Sequence, residues 1–311
     1  MSEGNQSAIL FFRLLGFQNP NGLKIPLFCA FLAIYVFILL GNLLIMILVI
    51  SSQKLKTPMY FFLSHLSLCD VFCTTNIIPN MLHIVMLDVM SMPVPECFIQ
   101  FYLFGCTTST ESFLLTVMSY DRYLAISYPL HYFTIMDFRL RLLLAVGSWV
   151  LGFALTLIPG ILVTTLQFCG PNVIDHFFCD LAPFLKLSCS DVYVVQTEII
   201  VFSLPVILLP FLFIIASYVN IFCSIMKISS MYGREKAFST CSSHLTVVCT
   251  YYGTLIIVYM VPANENLSSI NKSLSLLYIV ITPLFNPVIY SLRNKELQTA
   301  MRKIIWNKKP I

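Results

Sequence analysis

The stretch Met118-Ser119-Tyr120-Asp121-Arg122-Tyr123 closes a long apolar run that begins at Cys97. An acid and an arginine stand side by side where that run ends. Charges are tolerated at a membrane boundary, but at mid-bilayer they cost too much to be there without a role. An apolar helix therefore delivers a paired charge to one face of a membrane. That arrangement suits a switch better than an active site.

The rest of the chain supplies the bundle such a helix needs. With 58% hydrophobic and 10% charged residues, an ordinary soluble domain is excluded. Runs of about 20 apolar residues are what a helix needs to cross the hydrocarbon. Seven occur, near residues 25–50, 57–82, 96–120, 139–163, 195–226, 238–261 and 273–291. The first, fourth, fifth and sixth are strongly apolar. The second, third and seventh carry Ser, Thr, Asn and acids, and should face other helices rather than lipid. The predicted fold is all-α, a single seven-span domain over 1–311, with an external segment 1–24, a bundle 25–291 and a cytoplasmic tail 292–311 in which Leu297, Met301, Ile304 and Ile305 recur at the spacing of a short amphipathic helix on the inner leaflet. No connection is long enough for a soluble domain, and there is no internal repeat or Gly-Ser linker.

Loop charges orient the bundle. With the N-terminus outside, Lys54, Lys56, Arg139, Arg141, Lys227, Arg234, Lys236, Arg293, Lys295, Arg302, Lys303, Lys308 and Lys309 fall on the cytoplasmic side. Only Arg13, Lys24, Lys186 and Lys272 fall outside. An even number of spans would leave the basic tail outside, so this positive-inside bias also supports an odd count. The net charge of +4 is therefore a basic face against anionic cytoplasmic lipid, with no bearing on nucleic acid. Ile9 to Phe12 is too short for a signal peptide and Arg13 interrupts it, so the first span is expected to serve as an uncleaved anchor. Asn5-Gln6-Ser7 is a glycosylation sequon on the outer side; those at Asn266 and Asn271 lie close to the membrane, where modification is less favoured. Of eleven cysteines, Cys97, Cys169, Cys179 and Cys189 are external. Four cysteines allow three pairings, and an oxidising exterior favours two bridges. The other seven are expected to be packing residues.

Four local motifs narrow the reading. They are Leu55-Lys56-Thr57-Pro58-Met59-Tyr60-Phe61-Phe62-Leu63; Met118 to Tyr123 with Ala125-Ile126 and Pro129-Leu130; Lys236 to Cys241 with Ser243-His244-Leu245; and Pro283-Leu284-Phe285-Asn286-Pro287 running on to Asn294. In this order and register they resemble the signatures of the olfactory (odorant) receptors, within the rhodopsin-like G-protein-coupled receptors. The likeness covers about residues 8–305, and Lys56-Thr57-Pro58-Met59 is more similar to the terrestrial-type class than to the fish-like class. Ser119 and Ser127 depart from the usual Ala and Cys, both small changes.

The resemblance implies several roles. Asp121, Arg122 and Tyr123, with Tyr218, His244, Asn286, Pro287 and Tyr290, would form the switch that couples to the G protein. Cys97–Cys179 and Cys169–Cys189 would be the disulfides. Asp70 and Glu111, the acids placed inside the bilayer, must be neutralised, paired or bound to a cation. They are expected either to hold an allosteric sodium ion or to share a proton; no other cofactor is expected. The ligand would sit among Phe101, Phe104, Gly105, Thr108, Ser109, Phe202, Ser203, Val206, Tyr252, Ile256, Tyr259 and Ile279. Spacing alone reads these stripes as ordinary core. His176-Phe177-Phe178-Cys179-Asp180 carries metal-ligand residue types, but a disulfide at Cys179 would remove its thiolate and leave a plain loop lid.

Absences matter too. No lysine lies between Lys272 and Lys295 to form a retinal-type Schiff base, and Phe104 and Gly105 occupy the depth where an amine receptor carries an acid. The expected ligand is a small, mostly neutral volatile. The expected partners are a stimulatory olfactory-type G protein, membrane lipid and accessory trafficking proteins, in the plasma membrane of olfactory cilia. No hydrolase elbow, phosphate loop or compact metal-ligand set points to an enzyme. The alternatives are a receptor of the same architecture for a non-odour ligand, and a transporter, which would show two related halves and broken helices.

Overall fold

The computed structural model describes residues 9–17, 21–169, 171–260, 268–293 and 295–306. In chain order the elements are β1 (Phe11–Leu14), α1 (Lys24–Ser51), α2 (Pro58–Leu87), β2 (Met90–Pro93), α3 (Val94–Ser127), α4 (Tyr132–Ile135), α5 (Phe138–Thr164), β3 (Val173–Ile174), α6 (Leu181–Leu187), α7 (Val192–Met226), α8 (Met231–Met260), α9 (Ser268–Arg293) and α10 (Lys295–Trp306). The seven long helices α1, α2, α3, α5, α7, α8 and α9 correspond to the seven predicted spans, and each overruns its span at one end or both, because a helix continues past the hydrocarbon until something stops it. Five of them, α1, α2, α5, α7 and α9, are long and apolar enough to cross a membrane on composition alone. The sixth span, α8, expected to be strongly apolar, is not among them. Its first turns carry Arg234, Glu235 and Lys236, and Ser and Thr follow. α3 falls short for a different reason: it is the inner helix, against which α2, α5, α7 and α8 all pack.

Local chemistry sets the boundaries. Asp137 accepts a hydrogen bond from Leu140 N (2.8 Å) to start α5, and Asp191 accepts one from Tyr193 N (3.0 Å) to start α7. Pro58 opens α2 at its first position, where a missing N–H costs nothing. Six prolines lie inside long helices, and each frees the carbonyl four residues back. Two of these carbonyls have side-chain donors from another helix. Pro287 frees that of Pro283, which accepts from Asn42 Nδ2 at 3.2 Å; Pro210 frees that of Val206, which accepts from Ser112 Oγ at 3.0 Å. Asn42 and Ser112 thus make the bends in α9 and α7 tolerable in a medium without water. Close approach is also built in. A Cβ on Gly152 would lie 2.2 Å from Thr110 Oγ1, so α3 and α5 meet nearly backbone to backbone.

A small sheet, not anticipated from the sequence, covers the outer end. β1 pairs antiparallel with β2 and parallel with β3. Phe12 and Leu14 point inward and are fully buried; Phe12 meets Phe168 edge-on, with ring centroids 5.3 Å apart. Ion pairs Lys24–Asp88 and Lys272–Asp175 tie the layer to α1, α2 and α9. Cys97 is joined to Cys179 and Cys169 to Cys189. Of the seven free cysteines, Cys29, Cys223 and Cys249 are exposed rather than packed, because they face outward from the bundle. At the other end α10 buries Leu297 and Ala300 against the bundle, and Tyr60 donates to Glu296 (2.8 Å).

The two bridges close loops of different length, 82 and 20 residues. Chain entropy assigns about 4.5 kcal/mol to the first and about 3.3 kcal/mol to the second. Cys97→Ser should therefore lower surface expression and thermal stability more than Cys169→Ser, as read by flow cytometry and by melting of the detergent-purified protein.

Candidate functional site

The outer halves of α3, α5, α7 and α8 enclose a cavity of about 520 Å3 beneath the loop that carries α6. α3 contributes Phe101, Phe104, Gly105, Thr108, Ser109 and Ser112, which recur at three- and four-residue steps and so share one helical face. α7 contributes Phe202, Val206 and Phe211, and α8 contributes Tyr252, Leu255 and Ile256. Nine of the twelve residues picked out by sequence thus line one space. Ile279 does not. It is fully buried and lines a separate recess of about 10 Å3 with Phe104, Phe178, Asp180, Leu255, Ser275 and Tyr278. Phe104 and Tyr278 pack edge to face there (6.0 Å), and no described residue of α9 lines the main cavity. The side chains of Ser203 and Tyr259 lie outside the described residues, as does Asn5.

Sequence reasoning missed the α5 wall, Leu155, Thr156 and Pro159, and the roof, Asp180 and Leu181. Gly152 and Thr156, one helical turn apart, were the available sign of close packing on α3. A Cβ on Gly105 would come 2.5 Å from Thr156 Cγ2, so that contact fixes how near α5 stands.

The hydroxyls in this wall are already engaged. Ser109 and Thr156 share a hydrogen bond at 3.1 Å, and Ser112 and Tyr252 share one at 2.9 Å. Thr108 accepts from Tyr251 through its carbonyl (2.7 Å) and from Tyr278 through its hydroxyl (3.2 Å). Thr108 therefore joins α3 to α8 and α9, immediately beside the cavity.

Below the cavity lies a polar cluster. Asp70 is fully buried and Glu111 nearly so. Asn286 Nδ2 donates to both Asp70 oxygens, at 3.0 and 3.2 Å, and Glu111 is within hydrogen-bonding reach of Asp70. Two carboxylates in contact and out of water require a proton or a cation between them. Asn42 Oδ1, Thr282 Oγ1 and Tyr290 Oη are also buried, with no protein partner. No group of three or more His, Cys, Asp or Glu able to hold a metal occurs among the described residues.

At the cytoplasmic end Asp121 and Arg122 are paired, with Arg122 Nε 3.1 Å from Asp121 Oδ2. Tyr132 of α4 donates to the other Asp121 oxygen at 2.7 Å. The acid is thus shared between the arginine and the second cytoplasmic connection. Tyr218 and His244 lie stacked and hydrogen bonded (2.6 Å), linking α7 to α8. Tyr123 packs with Ile221, Ile225 and Cys241. Asn286 and Pro287 sit one turn from Tyr290, which is fully buried. The charges ringing this end are partly self-engaged: Arg234 donates to the carbonyls of Ile228 and Met226, and Arg141 to that of Asp137.

The outer loop does not assemble a metal set. Cys179 is in a disulfide, and Asp180 turns to the cavity. His176 is buried against Phe177 and Phe178 (4.7 Å each). Its burial, with Lys272 nearby, pushes its pKa down to about 3.

The family model for the olfactory receptor matches residues 30–308. Olfactory receptor 11A1 of Homo sapiens is 46% identical over 305 residues, covering 98% of this chain and 96% of that protein. Olfactory receptor 1f45 of Rattus norvegicus is 43% identical, covering 98% and 97%. Among solved structures, squid rhodopsin aligns over 92% of this chain and 82% of its own with a TM-score of 0.75; at 16% identity this shows the fold alone.

His176 generates a pH dependence. Its pKa is lower folded than unfolded, so the unfolded chain binds the extra proton first, and stability falls as pH drops below about 6.5. Between pH 6.5 and 4.5 the loss should reach about 2 kcal/mol. The melting temperature of the purified parent should fall over this interval by more than that of His176→Gln.

Proposed function

The chain belongs to the olfactory receptor family, and from that premise we propose that it binds a small, mostly neutral volatile in the cavity under α6 and answers by activating a stimulatory, olfactory-type G protein, raising cAMP. As an olfactory receptor it is a multi-pass plasma-membrane protein of the G-protein-coupled class and not an enzyme. This membership removes the transporter alternative. A non-odour ligand in another tissue is separated by where the chain is expressed; cilia of olfactory sensory neurons, reached with accessory trafficking proteins, are the location that fits the reading.

The cavity carries this proposal. It is walled almost entirely by carbon, and its size suits a molecule of about ten carbons. Each buried CH2 contributes about 0.8 kcal/mol, so burial supplies at most about 8 kcal/mol, and the costs of association cap the affinity at about micromolar. Besides the α5 wall, the cavity is lined by α3, α7 and α8, the helices that also carry Arg122, Tyr218 and His244. A ligand that fits better when α8 tilts outward favours the state in which Arg122 leaves Asp121 and turns toward Tyr218, Tyr290 or the G protein. A ligand with equal affinity for both packings would shift nothing. Asp70 and Glu111, with orphaned polar atoms on Asn42 and Thr282 of the neighbouring helices, fit a sodium ion that would favour the closed packing.

The test is a cAMP reporter in cells exposed to a broad odorant panel, with surface expression measured alongside. Arg122→Ala should abolish the response at normal surface expression, and Tyr259→Phe should shift potency without silencing. A full response from Arg122→Ala contradicts the coupling. Basal signalling of the parent should depend on sodium, and Glu111→Gln should remove that dependence; an unchanged dependence excludes the ion.

A further inference from the structure

Among the described residues the cavity has one carboxylic acid in its lining, Asp180, and it is held in place from both sides. Asp180 follows Cys179, whose N–H donates to Gln100 Oε1 (2.9 Å) and whose sulfur is bonded to Cys97. On its other side Asp180 starts α6, its Oδ1 accepting from Leu181 N at 2.8 Å. Its second carboxylate oxygen has no protein partner among the described residues. Nor is that oxygen sealed away, since Asp180 lines both the main cavity and the adjoining recess. Two basic groups of the outer face are committed elsewhere, Lys272 to Asp175 and the Gly16 carbonyl and Lys24 to Asp88, and neither Arg13 nor Lys186 is among the described residues lining the cavity or the recess. Burial raises the Asp180 pKa above the ordinary carboxylate range, the mark of an acid short of donors.

The other polar groups of the wall cannot take this role. Ser109 and Tyr252 donate to Thr156 and Ser112, which donate in turn to the carbonyls of Gly152 and Val206, and Thr108 accepts from Tyr251 and Tyr278, which leaves one hydroxyl hydrogen in the wall. A ligand able only to accept hydrogen bonds would find the one hydrogen of Thr108 but would strip water from Asp180 without pairing it. A ligand that donates would pair it. The recess beside Asp180 has about the room of one water, which limits the donating head to a hydroxyl or an amino group.

We infer that Asp180 is the polar anchor of the cavity and that this receptor selects compact apolar molecules ending in a hydrogen-bond donor, an alcohol or a primary amine, over equally apolar molecules that only accept. This rests on the odorant-receptor reading above and names the ligand class of that same cavity.

The experiment compares nine probes in the cAMP assay: octyl, citronellyl and 2-phenylethyl skeletons, each as the alcohol, the primary amine and the methyl ether. On at least one skeleton the parent should answer the alcohol or the amine at about tenfold lower concentration than the ether, the scale of one hydrogen bond to a charged group. A lead for the amine would mark an ionised anchor, and a lead for the alcohol a neutral donor contact. Asp180→Asn keeps the size and the helix cap but brings an N–H donor. At matched surface expression it should compress the donor preference to within about threefold and improve the ether. Asp180→Ser, which also caps a helix, should compress it without improving the ether. Equal potency of donors and ethers at the parent, or a donor preference intact in both variants, overturns the inference. A parent that answers the broad odorant panel but none of the donors overturns it while leaving the receptor reading standing. Silence to the entire panel at normal surface expression sinks that reading itself.

Discussion

Hydrocarbon offers no partner to a polar group, and this constraint organises the whole bundle. Backbone N–H and carbonyl groups pair within each helix, so the carbonyls that prolines free and the charged side chains between the two faces must find partners elsewhere in the bundle or beside them. The carbonyls freed by Pro287 and Pro210 are met by Asn42 and Ser112. Asp70 is met by Asn286, Asp121 by Arg122 and Tyr132. These pairings fix which helices are neighbours, because dispersion between greasy surfaces hardly distinguishes a helix from a lipid tail.

α3 bears most of this pairing. Along one helix it meets Asn76 through Gln100, Tyr251 and Tyr278 through Thr108, Thr156 through Ser109, Tyr252 through Ser112, and Tyr132 through Asp121. A displacement of α8 at the cavity therefore acts on hydrogen bonds to α3 rather than on contacts of its own alone. Interfaces of this kind have discrete arrangements. That is how a guest among Phe104, Tyr252 and Ile256 can bear on a salt bridge at the far end of the same helix.

The two ends of the molecule are built differently. Outside, two disulfides, two ion pairs and a three-stranded sheet hold the roof over the cavity. Inside, the connections are short, and side-chain hydrogen bonds such as Ser127 with Ser224 and Tyr60 with Glu296 join neighbouring elements, with no disulfide among the described residues there. A stiff roof and a looser floor let the bundle change shape where the G protein docks while the cavity keeps its lid.

The sequence by itself determined the seven helices, their orientation and the family, because hydropathy runs, loop charges and short motifs are properties of the chain alone. It also placed Phe101, Phe104, Gly105 and Thr108 on one face, since helical spacing needs no partner. It missed the sheet, whose strands are four, four and two residues long and too short to show a pattern before they pair. It placed Ile279 in the cavity and overlooked Thr156 and Asp180. Only the tertiary structure could decide those positions. A wall is made where side chains from distant parts of the chain meet, and whether a hydroxyl or a carboxylate there is free or already engaged depends on which partner the packing brings within about 3 Å.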